Sequence, residues 1–232
     1  MCVASQAAYY EEPEFGEYRD IMQFRLTYEG PLKPSFNNSR NTDNKHSIRK
    51  AFHPQLRQLW ETVPTLRALS VIPQRERMGN FSSRVPLGAK EESVLEYLAN
   101  NRPLNDYRFA PLVTEDLELW CGLDVLFLRI GAPGRVLKSG DIDNRIKTLL
   151  DALKRPNQVS DLGSKYIPPS PSETPFFVLL DDDSLVAKLS VETDTMLEPL
   201  VGGIPAETDA RLVITVTVKP MHQTPDNFTF GW

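Results

Sequence analysis

Asp143-Asn-Arg-Ile-Lys-Thr-Leu-Leu-Asp-Ala-Leu-Lys154 carries the clearest helical period in the chain. Ile146, Leu149, Leu150 and Leu153 fall at i, i+3, i+4 and i+7, which gathers them on one face to be buried. Lys147 lies one turn after Asp143 and Asp151 one turn further, so the opposite face is polar. Around this helix the chain reads as strands. Upstream, Ile21 to Tyr28 alternates, with Met22, Phe24, Leu26 and Tyr28 on one side, and Gly30-Pro31 ends it. Leu112 to Gly131 holds the longest apolar stretch, and Asp124 to Ile130 has the bulk of a central strand. Downstream, Phe176 to Leu180, Leu185 to Thr193 and Arg211 to Lys219 read as three more strands.

Shorter helices are expected after Ser47, from Pro54 to Trp60 on the stripe Leu56, Leu59 and Trp60, and from Glu91 to Asn100. The expected fold is α+β and a single domain, with one main helix packed on a mixed or antiparallel sheet of four or five strands. Residues 1–20 read as an acidic disordered tail, and 21–232 as the domain. Insertions fall at about 60–110 and at 155–175, the latter rich in proline and serine and long for a connection.

The bulk numbers narrow the classes. With 232 residues and 41% hydrophobic content, one good core can form. No apolar run approaches the ~20 residues of a membrane span. Met1 to Tyr10 lacks the basic start and apolar stretch of a secretory signal, so cytoplasm is the expected compartment. Cys2 and Cys121 are too few for a disulfide framework, and Cys121 reads as a small core residue. His46, His53 and His222 show no ligand spacing. There is no glycine-rich phosphate loop, which argues against a nucleotide cofactor, and no Gly-x-Ser-x-Gly.

The net charge of −5 conceals a polarised chain. Residues 33–90 hold eleven bases against three acids, and residues 156–232 hold four bases against eleven acids. A basic block of that kind is either a solvated surface or a nucleic-acid footprint.

Three groups carry chemistry. Asp141 and Asp143, two apart at a helix start, can point to one side and suit a hard cation such as Mg²⁺ or Mn²⁺. Aspartate there is equally a helix cap. Lys147 could stabilise charge on a phosphate, or simply pair with Asp143. Asp181-Asp182-Asp183 ends a strand, where three adjacent carboxylates call for water or a cation, or else form a tight turn.

The run Asp141-Ile-Asp-Asn-Arg-Ile-Lys147-Thr-Leu-Leu-Asp151-Ala-Leu153 resembles the signature of RusA-family Holliday-junction resolvases. Leu180-Asp181-Asp182-Asp183-Ser184, with strands after it, resembles the family's later strand ending in Asp-Asp. Pro34-Ser35-Phe36-Asn37-Asn38 resembles its Pro-Ser-Asn-Asn loop with one residue inserted. The resemblance covers about 110 residues in all, from the strand near Asp124 to Lys219 together with the first strand and loop. It implies a metal-dependent endonuclease in which Asp141, Asp143 and Asp183 are catalytic metal ligands, Lys147 is the catalytic lysine, and Asp182, beside Asp183, is also a metal-ligand candidate. The extra Asp181 leaves that register open by one. Mg²⁺ is the expected cofactor, with Mn²⁺ as the alternative.

DNA contacts are expected from Lys33, Asn37, Asn38, Arg40, Lys45, Arg49, Lys50 and Arg57. The expected partners are branched DNA, in a recombination or repair setting, and a second copy in a C2 homodimer, with no membrane. The rival readings are a non-cleaving DNA-binding protein of the same fold and a flap or fork nuclease of looser specificity. A small-molecule phosphatase is the least favoured, since it would not need an extended basic surface.

Overall fold

Ala210, Leu212, Ile214, Val216 and Val218 are all buried, and their alternation makes β7 (Asp209–Pro220) the centre of the molecule. In this computed structural model the described residues are 22–35, 41–71, 92–130, 141–198, 200, 206–224, 227 and 230, with only the backbone of Asp141. The expected tail at 1–20 lies outside them.

On one side β7 pairs antiparallel with β1 (Met22–Pro31). On the other it pairs antiparallel with β4 (Leu119–Arg129), which in turn pairs parallel with β6 (Val186–Thr195). The sheet order is therefore β1-β7-β4-β6. As the alternation predicts, Leu26 and Tyr28 are buried, and Met22 and Phe24 pack against the core from the same face.

A second sheet has the order β2-β3-β5, from Pro103–Leu104, Tyr107–Val113 and Phe176–Leu180. Its β3 begins upstream of the long apolar run expected from Leu112 to Gly131, and the run divides into two strands. The break is the turn at Thr114, whose hydroxyl accepts from Leu117 N while Leu119 N bonds the Thr114 oxygen. Glu118 takes φ 50 to close the turn. One apolar run thus feeds both sheets.

The helices differ from expectation in rank. The longest is α1 (Thr42–Thr62), 21 residues running straight through Pro54 where two short helices were expected. Pro54 removes one backbone bond. The stripe Ile48, Phe52, Leu56 and Trp60, all essentially inaccessible, offsets that loss. α2 (Pro64–Val71) follows, and α3 (Val94–Asn100) starts with a Ser93–Glu96 capping box. α4 (Asp141–Leu153) is the expected helix, with Ile146, Leu149 and Leu153 buried and Leu150 packed at the core edge.

The class is α+β, as expected, and among the described residues it comprises four helices and two mixed sheets. No helix among the described residues is long and apolar enough to cross a membrane.

The 155–175 insertion is tied across α1. Asp43 accepts from Ser164 N at 2.6 Å, Lys50 pairs with Glu173 at 3.1 Å, and Tyr107 Oη donates to the Ile167 oxygen at 3.0 Å. His53 Nδ1 accepts from Phe177 N at 3.0 Å, and its Nε2 donates to the Ser172 oxygen at 3.1 Å.

Candidate functional site on helix α4

Thr148 is fully buried on α4, and its hydroxyl lies 2.9 Å from the main-chain oxygen of Lys33. Asn41 Nδ2 donates to the same oxygen at 2.8 Å. Ser35 N donates to the Asn144 oxygen at 3.2 Å. These bonds lay the segment after β1 along the N-terminal half of α4, and thus join two stretches more than 100 residues apart in sequence. The Ser35 hydroxyl is buried in this joint without a hydrogen-bond partner. Phe36, Asn37, Asn38 and Arg40 lie outside the described residues.

Beside the joint, Asp143 and Lys147 both stand exposed on the outer face of α4. No ion pair joins them, so the simple i,i+4 pair does not account for either residue. The Asp141 backbone opens the helix, and its side chain is outside the described set.

The three aspartates after β5 take three different roles. Asp181 accepts from Arg102 at 2.8 Å and from Arg155 at 2.8 Å, and Arg102 also holds Asp116. Burial raises the Asp181 carboxyl, but the two guanidinium groups outweigh it and hold it below the usual carboxylate range. Asp181 is therefore a structural anchor. Asp182 caps the short turn Asp183–Leu185 by accepting from Ser184 N at 2.9 Å, which holds its carboxyl low. Asp183 is half exposed and pairs with Lys154 Nζ at 2.9 Å.

Lys154 also lies 3.7 Å from Asp151, and Asp151 pairs with Lys45 at 2.7 Å. Four charges thus alternate across α4 and α1: Lys45, Asp151, Lys154, Asp183. Burial lowers the Lys154 ammonium, but Asp183, Asp151 and Asp182 more than offset it and hold it above its ordinary value. A groove of about 610 Å³ opens beside these residues, lined by Lys45, Asp151, Lys154 and the chain from Arg155 to Asp161.

The eight residue steps from Asp143 to Asp151 span about 12 Å along the helix axis. Asp183 thus sits with the C-terminal half of α4, while Asp143 and Lys147 belong to the N-terminal half. Carboxylates sharing one hard cation bind it at about 2.0–2.6 Å each. Among the described residues no three His, Cys, Asp or Glu side chains are grouped that closely. The donors present are nonetheless carboxylates, of the kind such a cation takes, and Asp183 already holds a positive charge in Lys154.

The expected DNA-contacting set needs correction. Arg49 is 2% exposed and donates to the main-chain oxygens of Asp151 at 2.8 Å and Lys154 at 3.2 Å. Lys45 is buried against Asp151. Both are structural cations that fasten α1 to α4. Lys50 is half exposed and paired with Glu173, and Arg57 is exposed and paired with Glu61 at 2.8 Å. Among the described bases of the block, Lys45 and Lys50 are thus paired with acids from elsewhere in the chain. Lys33 keeps an exposed side chain next to α4.

His46 and His53 stack on Phe176 in an aromatic cluster rather than in a site. Burial, with Arg49 beside it, pushes His46 down to about 4, and burial lowers His53 as well.

Sequence reading missed Thr148, Asn41 and Lys154. Lys154 carried a usable signal, because it continues the Asp143–Lys147–Asp151 face by three residues. Thr148 and Asn41 act on a main-chain oxygen, which leaves no trace in a side-chain pattern. Compared with protein-family models, with curated proteins and with solved structures, the chain gives no match.

Proposed function

We propose that this protein is a metal-dependent endonuclease acting on branched DNA. The observation that carries the reading is the joint between Lys33–Ser35 and Asn144–Thr148. It sets the start of the Pro34–Asn38 loop against the helix bearing Asp143 and Lys147. These are the two segments whose residues resemble the RusA pattern, brought together by folding.

Asp141 and Asp143 would hold Mg²⁺ or Mn²⁺ at the start of α4, with Asp183 as the third carboxylate once it leaves Lys154. Bound there, such a metal supplies Lewis acidity and a water of lowered pKa. Lys147, exposed one turn along, neutralises charge on the scissile phosphate. Lys33 contributes a phosphate contact that orients the strand without reading sequence. A C2 pair of subunits would present two such sites to a two-fold-symmetric four-way junction.

The test is cleavage of matched duplex, fork and four-way substrates with Mg²⁺ and with EDTA. Metal-dependent nicking of branched substrates supports the reading, and no nicking of any substrate rejects it. One observation favours a second reading, a protein of this fold that binds DNA without cutting. Asp183 is engaged by Lys154, and among the described residues no three carboxylates are gathered around one point. Tight, salt-sensitive binding of junction DNA without cleavage in Mg²⁺ or Mn²⁺ would favour that alternative.

A further inference from the structure

Lys154 is the residue on the candidate site that neither the sequence pattern nor the proposed chemistry uses. Its side chain is 18% exposed, and its ammonium sits between two carboxylates, 2.9 Å from Asp183 and 3.7 Å from Asp151. Asp151 already has a closer partner in Lys45 at 2.7 Å. The bond Lys154 makes with Asp183 is therefore its principal one. A divalent cation on the same carboxylate would stand beside a full positive charge, so the ammonium opposes a metal there. The groove alongside gives the lysine stem space to swing into, since Lys154 is among its lining residues.

We propose that the Lys154 ammonium occupies the cation position at Asp183 in the metal-free protein and must be displaced before Asp183 can join a divalent metal. Lys154 is then a positioning residue. It keeps the Asp183 carboxylate ordered and charge-balanced without metal, and it sets the metal concentration at which the site completes. The inference rests on the nuclease reading above and adds to it a regulator of the same site. Lys45 is the natural control, because it places an equal charge on the neighbouring Asp151 without touching Asp183.

The experiment measures Mn²⁺ binding to the full chain by titration calorimetry and by electron paramagnetic resonance of free Mn²⁺, without DNA. It compares the wild type with Lys154→Met, Lys154→Arg, Lys45→Met and Asp143→Asn. Lys154→Met is expected to bind Mn²⁺ about tenfold tighter or more, the size of one charge-assisted hydrogen bond no longer competing. Lys154→Arg keeps the charge and should stay near the wild-type affinity, and Lys45→Met should move far less than Lys154→Met. Lys154→Gln, with a polar tip, serves if the methionine variant loses its fold.

Equal or weaker binding by the Lys154→Met and Lys154→Gln proteins overturns the proposal, and so does an equal gain in Lys45→Met. Asp143→Asn separates the two readings. If it loses Mn²⁺ while the Lys154 variants match the wild type, only this inference falls. If it binds like the wild type, or if nothing binds, the metal reading fails and this inference with it.

Discussion

The Arg49 guanidinium donates to the main-chain oxygen of Asp151 at 2.8 Å, from a position only 2% exposed. It spans α1 and α4 and reaches the Lys154 oxygen as well. The groove floor therefore consists of two helices fastened by two buried cations, Arg49 and Lys45.

Replacing Arg49 should accordingly cost stability rather than DNA affinity. Arg49→Met strands several carbonyl oxygens and is expected to lower unfolding free energy by about 3 kcal/mol or more. Lys50→Glu, on the surface next to it, should cost under ~1 kcal/mol. Urea unfolding followed by circular dichroism measures both. Equal effects would mean that Arg49 is not the fastener described.

Arg49 and Lys45 also show why part of the molecule was hidden in the sequence. A scan for apolar spacing looks for leucines and valines, yet the buried face of α1 includes Lys45, His46, Arg49 and His53. Their positions fit one helical stripe, but their chemistry disguises it, so a 21-residue helix reads as two fragments. Pro54 strengthens that impression. By contrast α4, β1, β5 and β7 were legible because their buried residues are apolar at the right period. Asp143 and Lys147 were likewise legible as an exposed polar pair. The position of Asp183 was not, because it depends on Lys154 and on a turn fixed by Arg102 and Arg155, contacts that no local pattern encodes.

The three consecutive aspartates should fail in three distinguishable ways. Asp181→Asn unpairs Arg102 and Arg155 and is expected to cost about 2–4 kcal/mol of stability. Asp182→Ala removes a cap and should cost about 1 kcal/mol. Asp183→Asn loosens a half-exposed pair and should cost under ~1 kcal/mol, and on the nuclease reading it strongly lowers cleavage. Thermal melts paired with nicking assays on the three variants check the order. A large stability loss in Asp183→Asn would move it to the structural side.

Asp143 and Lys147 are exposed and make no ion pair with each other, so their removal should leave the fold within ~0.5 kcal/mol. On the nuclease reading, Asp143→Asn still binds junction DNA but cuts it at least ~100-fold more slowly. Lys147→Ala lowers cleavage by about 10²- to 10³-fold, and Lys147→Arg recovers only part of it. Single-turnover cleavage at saturating enzyme measures each, and a loss under about threefold in Lys147→Ala returns that side chain to the solvent-facing surface.

Acid should weaken the fold through His46. Its native value near 4 lies below the ordinary 6.5, so the unfolded chain binds the proton more tightly. The stabilisation is fully present above about pH 6.5 and is lost as pH falls toward 4. Its size is on the order of 3 kcal/mol, set by burial beside Arg49. Urea midpoints at pH 7, 5.5 and 4.5 should fall in that order for the wild type. The fall should be shallower in His46→Gln, and parallel curves would show that other groups carry the acid sensitivity.

The sheet order β1-β7-β4-β6 also dictates a schedule for biosynthesis. β1 leaves the ribosome early, but among the described residues its hydrogen-bonding neighbour in the sheet begins at Asp209. At 5–20 residues per second the first strand waits roughly 10–40 s for the last. Through that interval Leu26 and Tyr28 have no sheet to join, and β4 lacks its antiparallel neighbour. The nascent chain therefore presents unpaired apolar edges for most of its synthesis, which makes it a natural client for holding chaperones. A circular permutant opened between β6 and β7, which makes β7 directly before β1, would shorten that exposure and should raise the soluble yield at high expression rates.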